Sequence, residues 1–153
     1  MKNRPFKLTL PHKQWLYGIS SVLFLSGALW WLADVALAQM WPGHDFERDA
    51  KPWLLEVHGG AAMAFLFLVG TLWPNHIRRA WRFGQNRKSG VVLLAWLAAL
   101  TISGYGLYYF GGEQVREWTA KIHDGAGFLA AAVLAAHVWL GHRTTRPPGR
   151  TVR

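Results

Sequence analysis

Residues 122–140 read Ile122-His123-Asp124-Gly125-Ala126-Gly127-Phe128-Leu129-Ala130-Ala131-Ala132-Val133-Leu134-Ala135-Ala136-His137-Val138-Trp139-Leu140. Only His123, Asp124 and His137 in this stretch can carry charge. Its length is about the 20 residues with which an apolar helix crosses a hydrocarbon core. Outside it three more runs have the same character. Trp15 to Ala33 and Val91 to Phe110 carry no charge at all, and Trp53 to Trp73 is broken only by Glu56 and His58. Four such runs in a chain of 153 residues leave little room for anything else. The reading is all-α: an integral membrane four-helix up-down bundle whose antiparallel neighbours are joined by short connections.

The formal net charge of +9 is distributed unevenly. Lys2, Arg4, Lys7 and Lys13 precede the first run. Arg78, Arg79, Arg82, Arg87 and Lys88 lie between the second and third, and Arg143, Arg146, Arg150 and Arg153 follow the fourth. These segments contain no acidic residue, whereas the two alternate loops are mixed: Asp45, Glu47, Arg48, Asp49 and Lys51 in one, Glu113, Arg116, Glu117 and Lys121 in the other. Basic residues concentrated on alternate connections follow the positive-inside rule, which puts both termini in the cytoplasm. Loops this short cannot build a nucleic-acid-binding domain, so no nucleic acid partner is expected. The partner that every span requires is membrane lipid, and the expected location is the bacterial inner membrane, as a multi-pass protein.

The spans are expected at about 12–40, 53–75, 90–111 and 115–141, so residues 1–142 form the four-helix unit and 143–153 a basic cytoplasmic tail. Pro11 suits a first helical turn, where its missing N–H costs nothing. Trp41-Pro42-Gly43-His44-Asp45 reads as an outer turn, Trp73-Pro74-Asn75 as the weakening end of span two, and Pro147-Pro148-Gly149 as a stop. Ala36-Leu37-Ala38 resembles a signal-peptide cleavage site, but the preceding apolar stretch is longer than a signal peptide's, so the first span is expected to stay. Trp41, Trp53 and Trp118 fall at the outer interface, and Trp15, Trp73, Trp81 and Trp139 at the inner one. Such belts account for most of the tryptophan without any function.

Ionisable residues inside a membrane are costly and mark function more often than chance. His123 and His137 are fourteen residues apart, a rise of about 21 Å and a rotation ending roughly 40° from its start. They leave one helix face near opposite sides of the membrane. His58 opens span two and is level with His123; His12 opens span one and is level with His137. Facing pairs at two depths are what bis-histidine ligation of two stacked haems requires, and neutral imidazole is a good axial ligand. The plain alternative is a histidine that hydrogen-bonds a neighbouring helix. His76 and His142 are rival inner ligands, each beside arginine and so expected at the headgroups; His44 is expected in solvent. Asp34 and Glu56 are candidate hydrogen-bond partners for ligand imidazoles. Lys51, Arg116 and Lys121 on the outer side, and Arg78, Arg79 or Arg143 on the inner, are candidate partners for haem propionates. Absent cysteine excludes disulfides, thiolate-bound iron–sulfur clusters and covalently attached haem. There is no long internal repeat, although His58-Gly59-Gly60-Ala61 and His123-Asp124-Gly125-Ala126 share a start.

With these residues in place, the chain resembles the dihaem cytochrome b superfamily, which includes the cytochrome b (gamma) subunits of formate dehydrogenase and nickel–iron hydrogenase and the bacterial cytochromes b561. The resemblance is carried by one His opening span one, one opening span two and two in span four. Shorter strings agree: His12-Lys13-Gln14-Trp15 with Leu25-Ser26-Gly27 in the first helix, and Thr101-Ile102-Ser103-Gly104 in the third. It covers roughly Pro11 to His142. It implies two b-type haems, with pairs His58/His123 and His12/His137, the same pairs that the depths suggest. It also implies an electron path from a periplasmic c-type cytochrome or oxidoreductase subunit to a quinone on the inner side, within a hetero-oligomeric complex. Asn75, His76 and His142 are the expected polar groups near that quinone. The chain is shorter than most family members in the regions that would complete a quinone site. Other readings are a haem-free or monohaem membrane anchor and a small His-dependent metal or proton transporter. The chargeless third span and the outer placement of the acids count against the transporter.

Overall fold

In the computed structural model, which describes residues 9–37, 45–84 and 86–144, every regular element is helical. Helix α1 spans Leu10–Leu32 and runs into a single π turn, Ala33–Leu37. Pro11 sits in its first turn, after an extended Thr9. Helix α2 spans Asp45–Leu72 and continues through a second π turn, Trp73–Ile77, into the short α3, Arg78–Arg82. Helix α4 covers Arg87–Tyr109 and α5 covers Glu113–Thr144.

The helical path of the second span continues past residue 75. Pro74 has no N–H to give and its ring crowds the preceding turn. The backbone absorbs it by widening: the N–H of Arg78 bonds to the carbonyl of Trp73, one residue beyond the α spacing. The helical path therefore carries Asn75 and His76 and ends only at Arg82. The last residues of the expected first span, 38–40, the outer turn containing His44, and residues 145–153 of the tail lie outside the described residues.

Chain reversal between α3 and α4 uses two left-handed residues, Gly84 at φ 70° and Asn86 at φ 50°. Asparagine tolerates this conformation better than other residues with a Cβ, and its carbonyl then accepts the N–H of Gly90 at 2.9 Å. Arg87 Nε braces the turn by donating to the carbonyl of Trp81 at 2.8 Å. Between α4 and α5, Phe110 is extended and Gly112 takes φ 89°.

The packing is antiparallel within each sequential pair. His12 meets Thr71 while Ser26 meets His58, so α1 and α2 run in opposite directions. Ser89 meets His137 while Ser103 meets His123, which sets the same relation for α4 and α5. The two pairs join where Phe24 and Trp31 of α1 meet the Phe128 ring edge-on, at 6.2 and 5.3 Å. The indole N–H of Trp96 donates to the carbonyl of Ala126 at 2.9 Å, a further tie between α4 and α5.

Burial has the reverse of a water-soluble pattern. Among the described residues the buried positions include the polar Ser26, Ser103 and Thr119 beside Ala33, Phe65 and Leu72. Large apolar side chains such as Phe67, Met63 and Ile102 face outward. Close packing by small and hydroxylated residues is how helices associate when their outer surface need not avoid apolar surroundings. Four helical segments are long and apolar enough to cross a membrane: Leu10–Val35, Ala50–Arg82, Arg87–Tyr109 and Glu113–Arg143.

Candidate functional site

Each of the four candidate histidines is half-buried and hydrogen-bonded to a hydroxyl on the adjacent helix. His58 Nδ1 of α2 lies 3.2 Å from Ser26 Oγ and 3.0 Å from the carbonyl of Leu23, both on α1. His123 Nδ1 of α5 lies 2.9 Å from Ser103 Oγ of α4. His137 Nδ1 lies 3.1 Å from Ser89 Oγ, at the other end of the same two helices. His12 reverses the nitrogens: its Nε2 lies 3.0 Å from Thr71 Oγ1.

Glycine makes room for these rings. A Cβ on Gly27 would come to 2.8 Å from His58 Cε1, and one on Gly104 to 3.2 Å from His123 Cε1. Gly90 leaves more clearance, 3.9 Å from His137 Cε1. The same dipeptide, Ser-Gly, therefore faces three of the four imidazoles: Ser26-Gly27, Ser89-Gly90 and Ser103-Gly104.

His58 and His123 come together across the bundle, their ring centres 6.2 Å apart and their planes at 81°. Two imidazoles on one metal, bound through bonds of about 2.0–2.1 Å, hold their ring centres roughly 6 Å apart. The outer pair has the spacing that bis-imidazole ligation of one haem iron demands. His12 and His137 instead each face a hydroxyl, of Thr71 and Ser89, on the neighbouring helix. His76, on the π turn of the second span, is half-buried. Asn75 and His142 are exposed, one on that π turn and one in the last turns of α5.

Asp34, a candidate imidazole partner, is engaged by Lys51 at 2.6 Å, which ties the end of the first span to the start of the second. Lys121 likewise pairs with Glu117 at 2.6 Å and lies over the Trp118 ring. At the opposite end Arg143 covers Trp139 at 3.6 Å and Arg87 covers Trp81 at 5.6 Å.

The hydroxyls are the residues that reading the sequence for ionisable groups misses. A signal for them was present. Ser89 and Ser103 are separated by fourteen residues, the interval that separates His123 and His137, and antiparallel helices bring equal intervals into register. Chemically, the arrangement offers a pair of imidazoles at the spacing of two ligands on one metal, and two further imidazoles toward the other end of the bundle. No family model, curated protein or solved structure matches this chain.

Proposed function

We propose that this chain is a multi-pass inner-membrane electron-transfer subunit with cytoplasmic termini. It holds two b-type haems and passes electrons between a periplasmic redox partner and the quinone pool. The observation that carries the reading is the outer pair: His58 and His123, ring centres 6.2 Å apart, with His137 fourteen residues farther along the helix of His123. The proposed ligand pairs are His58/His123 and His12/His137. Bound haem supplies one-electron storage at iron; the chain supplies ligands, spacing and a dry surround. Two protein ligands per iron leave no open position, which suits electron transfer rather than oxygen chemistry. At the inner end Asn75, His76 and His142 are the proposed polar contacts for a quinone. The π turn that carries Asn75 and His76 supports this, since such turns recur at functional sites. A periplasmic c-type cytochrome or oxidoreductase subunit is the proposed partner, docked on the mixed-charge outer loops.

The test is haem content per chain in purified His58→Ala and His123→Ala proteins. Each variant is expected to lose the same one of two haems and keep the other. Unchanged haem content in both would refute the ligand assignment. One observation favours a second reading, a haem-free anchor: all four histidines already bridge adjacent helices through hydroxyls. Interhelical bonds of this kind average about 0.6 kcal/mol each, so four of them give only a modest return for four intramembrane imidazoles.

A further inference from the structure

Each hydroxyl that meets a histidine also lies within donating distance of a carbonyl three residues back in its own helix. Ser26 Oγ donates to the carbonyl of Leu23 at 3.1 Å, Ser103 Oγ to that of Leu100 at 3.1 Å, and Ser89 Oγ to that of Asn86 at 3.2 Å. Thr71 Oγ1 does the same toward Leu68 at 2.6 Å. A hydroxyl carries one donor and two acceptor lone pairs. Once its proton is committed to the carbonyl three residues back, it can only accept from the imidazole. The imidazole nitrogen in contact must then carry the hydrogen. His58 gives an independent indication, because its Nδ1 also faces the Leu23 carbonyl at 3.0 Å, and a carbonyl can only accept.

We propose that Ser26, Ser89 and Ser103 are tautomer-setting residues: each back-bonded hydroxyl holds its histidine, respectively His58, His137 and His123, with Nδ1 protonated and Nε2 bare. Thr71 imposes the opposite tautomer on His12, whose bare nitrogen is Nδ1. The recurrent Ser-Gly step is the device, serine selecting the proton and glycine clearing the ring. Neutral imidazole binds a metal through its unprotonated nitrogen, and which nitrogen that is follows from the hydrogen bond made by the other. Three of the four imidazoles are thus preset to ligate through Nε2. The tautomer assignment stands on the hydrogen bonds alone; the step from bare Nε2 to iron rests on the proposed haem ligation.

The serines act through the imidazoles and touch no reacting atom, so the test reads protonation and electronic state rather than turnover. In the full-length protein labelled with 15N-histidine and reduced, the nitrogen spectrum is expected to show Nδ1–H on His58, His123 and His137 and Nε2–H on His12. Ser103→Ala is expected to move only the His123 Nδ1 resonance; Ser103→Thr, which keeps the oxygen, is expected to restore it. Proton on Nε2 of His58, His123 or His137, or on Nδ1 of His12, overturns the proposal. So does a His123 Nδ1 signal indifferent to Ser103→Ala. Haem per chain, measured on the same samples, separates the two claims. If haem is present, Ser103→Ala is expected to weaken its retention about tenfold to a hundredfold and to raise the midpoint potential of the outer haem, because an imidazole that loses its acceptor donates less charge to ferric iron. If haem is absent, the electron-transfer reading fails while the tautomer result still stands or falls on its own.

Discussion

Gly27 and Gly90 occupy the same place in the same dipeptide, yet their environments differ by more than one ångström of clearance. A Cβ at Gly27 would come to 2.8 Å from the His58 ring, whereas at Gly90 it would meet His137 at an ordinary 3.9 Å. Gly27→Ala must displace an imidazole held by two hydrogen bonds, and forcing a methyl into a packed site costs about 1–3 kcal/mol. Gly90→Ala should be neutral or slightly stabilising, because alanine favours a helix by about 1 kcal/mol over glycine. Thermal unfolding of the two variants in detergent, side by side, checks this; equal destabilisation would mean the imidazole placement is wrong. At this scale the histidines are legible in the sequence because charge in an apolar run stands out. Their hydroxyl partners are not, because serine is unremarkable in a membrane helix. Only the matching fourteen-residue intervals of Ser89/Ser103 and His123/His137 betray them.

Among the elements, the turn between α3 and α4 is the sharpest constraint. Asn86 holds φ 50° while its carbonyl receives both the Ser89 hydroxyl and the Gly90 N–H. Asn86→Gly is expected to be tolerated. Asn86→Val places a β-branched residue in a left-handed conformation, at a cost of about 1–2 kcal/mol, and loosens the start of α4 beside His137. Hydrogen exchange at Gly90 reports this directly: faster in the valine variant, unchanged in the glycine variant. The helices themselves are plain in the sequence, since length and lack of charge define them. Their ends are less so. Trp73-Pro74-Asn75 reads as the weakening end of the span because proline disfavours helix, but a single π turn absorbs Pro74 and the helical path continues to Arg82. That continuation keeps His76 on the helical path, half-buried, past Pro74.

For the whole molecule, the proposed orientation rests on the distribution of basic residues. The chain has no cysteine, so single cysteines report cleanly. Glu113→Cys is expected to react with a membrane-impermeant thiol reagent in intact cells, and Arg87→Cys only after the membrane is opened. The reverse pattern would invert the topology and exchange the outer and inner roles of the two ligand pairs. The four long apolar helices are legible because a membrane imposes one requirement, length without charge, on every candidate span alike. The pairing of His58 with His123 follows from depth. The inner pair is less determined by depth, because His12 and His76 lie toward the same end of the bundle and the structure sets His12 against Thr71. The imidazoles are proposed to hold haem. The most direct measurement is the reduced-minus-oxidised optical spectrum of the purified protein with haem quantified per chain. Two b-type haems per chain are predicted; protein produced with ample haem supply that shows no haem absorption would contradict the account.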